Sequence, residues 1–158
     1  MSNTKKKRVR NPKRSGRSLQ RQRALDVLFE ADNRGIPVEK LEELLEERTK
    51  VYTSQTPIGQ YGQEIVRTYA HWADDVDSML EAASTEWSVE RMSTVDRNLL
   101  RIGATEIMYL DVAVGIIVKE IADLARDLSE DKSVRFTMGV LNRVGDIRKT
   151  ETAGTRGE

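Results

Sequence analysis

The sequence predicts an all-α protein, a compact bundle of six or seven helices with a disordered basic N-terminal segment. Three observations carry this. No stretch shows the sustained apolar and polar alternation of a strand, apolar residues recur instead at helical spacing, and Pro and Gly cluster between the runs (Gly35 and Pro37, Pro57 and Gly59). At 158 residues the chain suits one domain, a length that buries about 68–70% of the unfolded surface. Cys is absent, which excludes a disulfide framework and thiolate metal sites, and a single His removes most zinc chemistry, so no metal or cofactor is expected. No apolar run approaches the ~20 residues of a membrane span, and the charged N-terminus lacks the apolar segment of a secretory signal. A cytoplasmic protein with no membrane association is expected.

Residues 1–16 are polar, contain Pro12 and Gly16, and offer little to bury, which predicts a disordered arm. The first helix is expected from about Ser18 to Asn33, with Ala24, Leu25, Val27, Leu28, Phe29 and Ala31 inward. Arg21 lies on the same line as Leu25 and Leu28, so its stem is expected on the edge of the core with the guanidinium facing out. An acidic second helix, about Val38 to Arg48, turns Leu41, Leu44 and Leu45 inward. A third, about Tyr61 to Ala83, places Tyr61, Ile65, Tyr69, Trp72, Val76, Met79, Leu80 and Ala83 on one face, which reads as core. His71 falls on the opposite face and is assigned no chemistry. Trp87 to Met92 reads as a connector with one helical turn capped by Ser88.

The longest apolar arc belongs to Ser93–Leu110. Ser93 is placed to cap the helix, and Asp96 three residues on resembles the carboxylate of a capping box. Gly103 inside the arc predicts close approach by another backbone, and Glu106, among Val95, Leu99 and Ile102, requires a cationic partner, either Arg97 or an Arg of another helix. A sixth helix is expected from about Ile116, with Ile117, Ile121, Leu124, Ala125 and Leu128 inward. After the polar loop 129–132, a last helix from about Ser133 to Ile147 buries Thr137, Val140, Leu141 and Val144 with Phe136 at the edge. Residues 17–148 form the expected helical domain, and 149–158 a frayed, disordered tail.

The net charge of zero hides an asymmetry. Residues 1–23 hold ten Lys or Arg (among them Arg10, Arg14, Arg17, Arg21 and Arg23) and no Asp or Glu, while the whole chain has 26 of each sign, leaving 16 basic against 26 acidic residues beyond. Such a cluster is suited to a polyanion, with counterion release making the binding fall with salt, and nucleic acid is the foremost candidate. The alternative is a solvated tail that aids solubility or touches the chain's own acidic surface. An enzyme is disfavoured, since the sequence offers no Gly-rich phosphate loop, Cys, paired His or nucleophile beside a base. A helical protein-protein adaptor with a non-specific basic tail is the remaining alternative.

Several segments together resemble a known family. Arg17 and Arg21 leading into ALDVLF (Ala24–Phe29), then VDRNLLRI (Val95–Ile102) with Glu106, IVKEI (Ile117–Ile121) and FTMGVLN (Phe136–Asn142) are similar to the bacterial NusB antitermination family in order and spacing. The resemblance covers roughly Arg17 to Ile147. Lys119 and Met138 stand where that family usually has Asn.

The resemblance implies an all-helical RNA-binding protein with no enzymatic activity. It would pair with NusE, a small-subunit ribosomal protein, on single-stranded boxA RNA of nascent rRNA transcripts, within an RNA polymerase antitermination complex that reads through terminators. Carried over by position, Arg17 and Arg21 are the main RNA contacts, with Arg10, Arg14 and Arg23 as weaker additions. Phe29, Asp96, Lys132, Arg135 and Phe136 complete the expected surface. Single-stranded RNA needs cations for its backbone and flat groups for its unstacked bases, and a guanidinium serves both purposes. Four of these have a plainer reading: core for Phe29, helix capping for Asp96, a solvated loop for Lys132 and Arg135. An exposed helix face could serve either NusE or a homodimer.

Overall fold

The structure, a computed structural model, describes residues 14–50 and 57–157, with side chains through Glu151. Arg10 and most of the basic arm lie outside the described residues. Within them the elements are α1 (Gly16–Arg34), a 3-10 turn (Val38–Lys40), α2 (Leu41–Lys50), α3 (Gln60–His71), α4 (Ala73–Ala83), a second 3-10 turn (Val89–Arg91), α5 (Thr94–Tyr109), α6 (Val114–Leu128) and α7 (Asp131–Gly157), with no strand among the described residues.

The bundle is built around α5, which touches α1, α3, α4, α6 and α7. Every residue from Ile102 to Met108 is buried, as the broad apolar arc requires. Ser93 caps α5 as expected, its Oγ accepting from the Asp96 amide at 3.1 Å. Gly103 is a point of close approach, but by side chains: an added Cβ would meet Leu141 Cδ2 at 2.9 Å and Ile117 Cγ2 at 3.1 Å. The space of one methyl group thus lets α6 and α7 sit on α5. At its far end Asp111 takes φ 61, a left-handed conformation that Asp tolerates better than most residues.

α1 ends at Gly35, whose φ of 71 and amide bonds to the Ala31 and Asp32 carbonyls close the helix in the usual glycine manner. It runs antiparallel to α5. Arg21 meets Glu106, and farther along Asp32 takes Arg97 Nε at 2.8 Å and Asn98 Nδ2 at 2.9 Å. Burial raises the Asp32 carboxyl, but hydrogen bonds from Arg97 and Asn98 and the charges of Arg97 and Arg101 outweigh it and hold its pKa below the usual range.

Four expectations about elements change. The segment Tyr61–Ala83 is two helices, broken at Trp72 (φ −115, ψ 27), whose amide still bonds to the Thr68 and Tyr69 carbonyls. The break carries Trp72 out of the core face to 39% exposure, where it stacks on Tyr109 with centroids 4.8 Å apart. No Pro or Gly marks this point, and Asp74 and Asp75 suit the positive end of a new helix. Leu128 and Phe29, expected inward, are 38% and 37% exposed, each at the rim of its helix's buried face. Ser88 precedes its 3-10 turn without a side-chain cap. Finally, α7 is helical to Gly157 in place of the expected frayed tail from Thr150; no Pro interrupts it, and Thr150 Oγ1 bonds back to the Asp146 carbonyl at 3.0 Å. Lys119 and Met138, the two departures from the family pattern, are both exposed and disturb no packing.

Candidate nucleic-acid interface

The start of α1 carries the described part of the arginine stripe, and the structure divides it. Arg21 is buried at 3% exposure, which corrects the expectation that its guanidinium faces out. Its Nε lies 3.0 and 2.8 Å from the two Glu106 oxygens, Nη2 lies 2.9 Å from Oε1, and Nη1 reaches Glu120 at 3.3 Å. Burial would lower the pKa of Arg21, but the Glu106 hydrogen bonds and charge reverse that and raise it. Arg97, the other candidate partner of Glu106, instead holds Asp32. The reason is geometric: Glu106 faces the α1 side of α5, and Arg21 is the cation long enough to reach it through the core.

Tyr61 completes this cluster by donating its hydroxyl to Glu106. Burial first, then the hydrogen bond and charge of Glu106, push its phenol up, so it stays a donor. On its outer side Arg17 lies over the Tyr61 ring, 4.3 Å from the centroid, and is exposed. Arg14 pairs with Asp127 of α6 and donates to Ser18 Oγ at 3.1 Å, and Arg23 lies 3.8 Å from Asp26. Arg17 is therefore the member of the described stripe that the structure leaves turned to solvent.

A second region is a groove of about 1240 Å³ between the α4–α5 connector, the first turn of α5, the α6–α7 loop and the face of α7. It gathers four predicted residues, Asp96, Lys132, Arg135 and Phe136. Lys132 and Arg135 are exposed and Phe136 half-buried. Asp96 is 8% exposed and accepts from Ser129 Oγ at 2.9 Å and Ser133 Oγ at 2.8 Å, so beyond its amide's part in capping, its carboxylate ties the start of α5 to the α6–α7 loop. The two regions adjoin through α6, whose last turn holds Arg14 at Asp127 and lines the groove at Leu128. Phe29 lies outside the groove, exposed on α1.

The groove is also lined by residues that sequence reasoning did not single out for the site, Trp87 and Arg91 from the connector and Arg143, two turns beyond Phe136 on α7. Arg143 is engaged with the end of α4, its Nε 2.5 Å from the Ala83 carbonyl. A large aromatic in a polar connector, with a cation four residues on, was the available signal for Trp87.

Among the described residues no three His, Cys, Asp or Glu side chains are placed to hold a metal ion, and no helix is long and apolar enough to cross a membrane. The arrangement offers cations, a flat ring and hydrogen-bond acceptors along one channel, which is the chemistry of binding an extended polyanion bearing bases.

The NusB family model matches residues 18–146, the whole of the helical core. The chain belongs to the NusB family. Transcription antitermination protein NusB of Kineococcus radiotolerans is 36% identical over 141 residues, covering 88% of this chain and 99% of the relative. That of Bifidobacterium animalis subsp. lactis is 41% identical over 129 residues, covering 81% and 82%. Among solved structures, a chain in the crystal structure of antitermination factors NusB and NusE in complex with dsRNA matches with a TM-score of 0.66 at 28% identity, covering 83% of this chain and 96% of that one.

Proposed function

We propose that this NusB-family chain is an RNA-binding transcription antitermination factor without a catalytic step of its own. It acts in the cytoplasm with the ribosomal protein NusE, binds boxA-type RNA of nascent rRNA transcripts and helps RNA polymerase read through terminators. The observation that carries the reading is the groove where Lys132, Arg135 and Phe136 converge beside Asp96, continuous with the Arg-bearing start of α1. Cations there neutralise phosphates, and the ring suits unpaired bases. The NusB relative solved with NusE and dsRNA supports both partners. A protein adaptor alone gives the solvent-facing Arg17, Lys132 and Arg135 no purpose.

The test is fluorescence anisotropy with boxA-like single-stranded RNA, a scrambled strand and a duplex, with and without a NusE-type ribosomal protein, across a salt series. Tightest binding to the boxA-like strand, strengthened by the partner and weakened by Arg17→Ala combined with Lys132→Ala and Arg135→Ala, is expected. Equal weak binding to all three RNAs, indifferent to the partner, would overturn the proposal.

A further inference from the structure

We propose that Trp87 is a stacking platform for an unpaired RNA base, making the α4–α5 connector the second wall of the RNA groove opposite Phe136. The inference rests on the RNA-binding reading and adds a residue and a contact type to it.

Trp87 is 50% exposed, more than any other large aromatic among the described residues, and it lines the groove. A ring left this open on a mobile loop would be unremarkable, but the connector is fastened from several directions. Ser84 Oγ donates to the Trp87 carbonyl at 2.6 Å and accepts from its amide at 3.3 Å. Glu81 Oε1 accepts from the Val89 amide at 3.0 Å. Arg97 Nη1, from beneath, donates to the carbonyls of Val89, Glu90 and Met92 at 3.1, 3.2 and 3.0 Å, while its Nε is held by Asp32 of α1. Val89 and Met92 are buried as apolar anchors. The indole is thus presented on a fixed loop, and a binding surface fixed in advance loses little entropy when it is occupied.

The surroundings select the occupant. Arg91 follows on the same connector, and Lys132 and Arg135 flank Phe136 on the other wall, so each aromatic has a cation within its own segment. Acidic Glu86, Asp96, Glu130 and Asp131 also line the groove, Asp96 already bonded to Ser129 and Ser133. An amphipathic protein helix would bury these charges without partners, whereas a nucleotide chain sets phosphates on the cations, base faces on the rings and base amino groups toward carboxylates.

The full chain carries two tryptophans, so Trp72→Phe leaves Trp87 as the sole indole. Titrating this variant with boxA-type single-stranded RNA is expected to quench its fluorescence. Trp87→Ala is expected to weaken that RNA about 5- to 150-fold, the range for loss of one stacked base, with Trp87→Phe retaining most of the affinity. Abasic substitution along the RNA should reveal one position at which Trp87→Ala costs nothing further. An unquenched indole with unchanged affinity of Trp87→Ala, in a chain that does bind the RNA, overturns this inference and leaves the antitermination reading standing. Absence of RNA binding by the unaltered chain, with or without the NusE-type protein, overturns both. Should Trp87→Ala lose its helical circular dichroism, the quenching and Trp87→Phe arms decide.

Discussion

Arg21 and Glu106 form a two-pronged ion pair in the interior, 3% and 0% exposed, joining α1 to the central helix with Nε 2.8 Å from Oε2 and Nη2 2.9 Å from Oε1. Tyr61 and Glu120 supply further partners, so no face of either charge is left bare. The pair serves register more than net stability. Taking both charges out of water offsets much of their attraction, yet a misaligned α1 would bury Glu106 alone.

Removing one partner of this pair is therefore costly. Arg21→Ala is expected to destabilise the fold by about 3–5 kcal/mol, as is typical when a buried charge loses its partner. Arg21→Lys should recover only part, because an ammonium cannot match the fork. Urea unfolding followed by circular dichroism measures this. An unchanged midpoint for Arg21→Ala with lowered RNA affinity would show Arg21 acting at the surface instead.

Asp32 gives the acid side of the stability profile. Its folded pKa lies below its unfolded value, which is about 3.9. Its contribution is therefore complete above the unfolded value and is lost as pH falls through the lower folded one. Asp32→Asn is expected to cost about 1.5–3 kcal/mol at neutral pH, and the difference from the native chain should shrink as the pH falls below 4, roughly the unfolded value. Unfolding midpoints of both proteins from pH 7 downward check this, and a constant gap would refute it.

Two glycines of α7 separate packing from helix propensity. A Cβ at Gly145 would lie 2.7 Å from Val114 Cγ2 and 3.3 Å from its Cβ, while one at Gly139 meets nothing within 4 Å. Val114 is stiff about χ1 and cannot easily swing aside. Gly145→Ala is expected to destabilise by about 1–2 kcal/mol, overpacking outweighing the propensity gain, and Gly139→Ala to stabilise by up to about 1 kcal/mol. Thermal midpoints of the two variants should move in opposite directions.

The RNA groove makes an electrostatic prediction. If Lys132 and Arg135 each neutralise one phosphate, each Ala substitution lowers the slope of log K against log salt by about 0.7 on a single strand. Arg17→Ala should do the same and leave Tyr61 bonded to Glu106. Slopes unchanged in all three variants would place the RNA elsewhere.

Residue order along the chain was enough for the helical class, most of the helix positions, the cap at Ser93 and the buried faces of α2, α5 and α7, because these follow from spacing within one segment. It also showed that Glu106 needed a cation, since a carboxylate inside an apolar arc is unfavourable wherever the arc packs. Which cation it takes depends on how the helices cross. Arg17, Arg21 and Arg23 look alike in a basic stripe, yet the crossing of α1 over α5 sends Arg21 inward, stacks Arg17 on Tyr61 and pairs Arg23 with Asp26. The break at Trp72 and the placing of Trp87 beside Phe136's groove were equally illegible, for the same reason. Local pattern fixes the direction of a side chain relative to its own helix, whereas exposure and partnership depend on where the other helices lie.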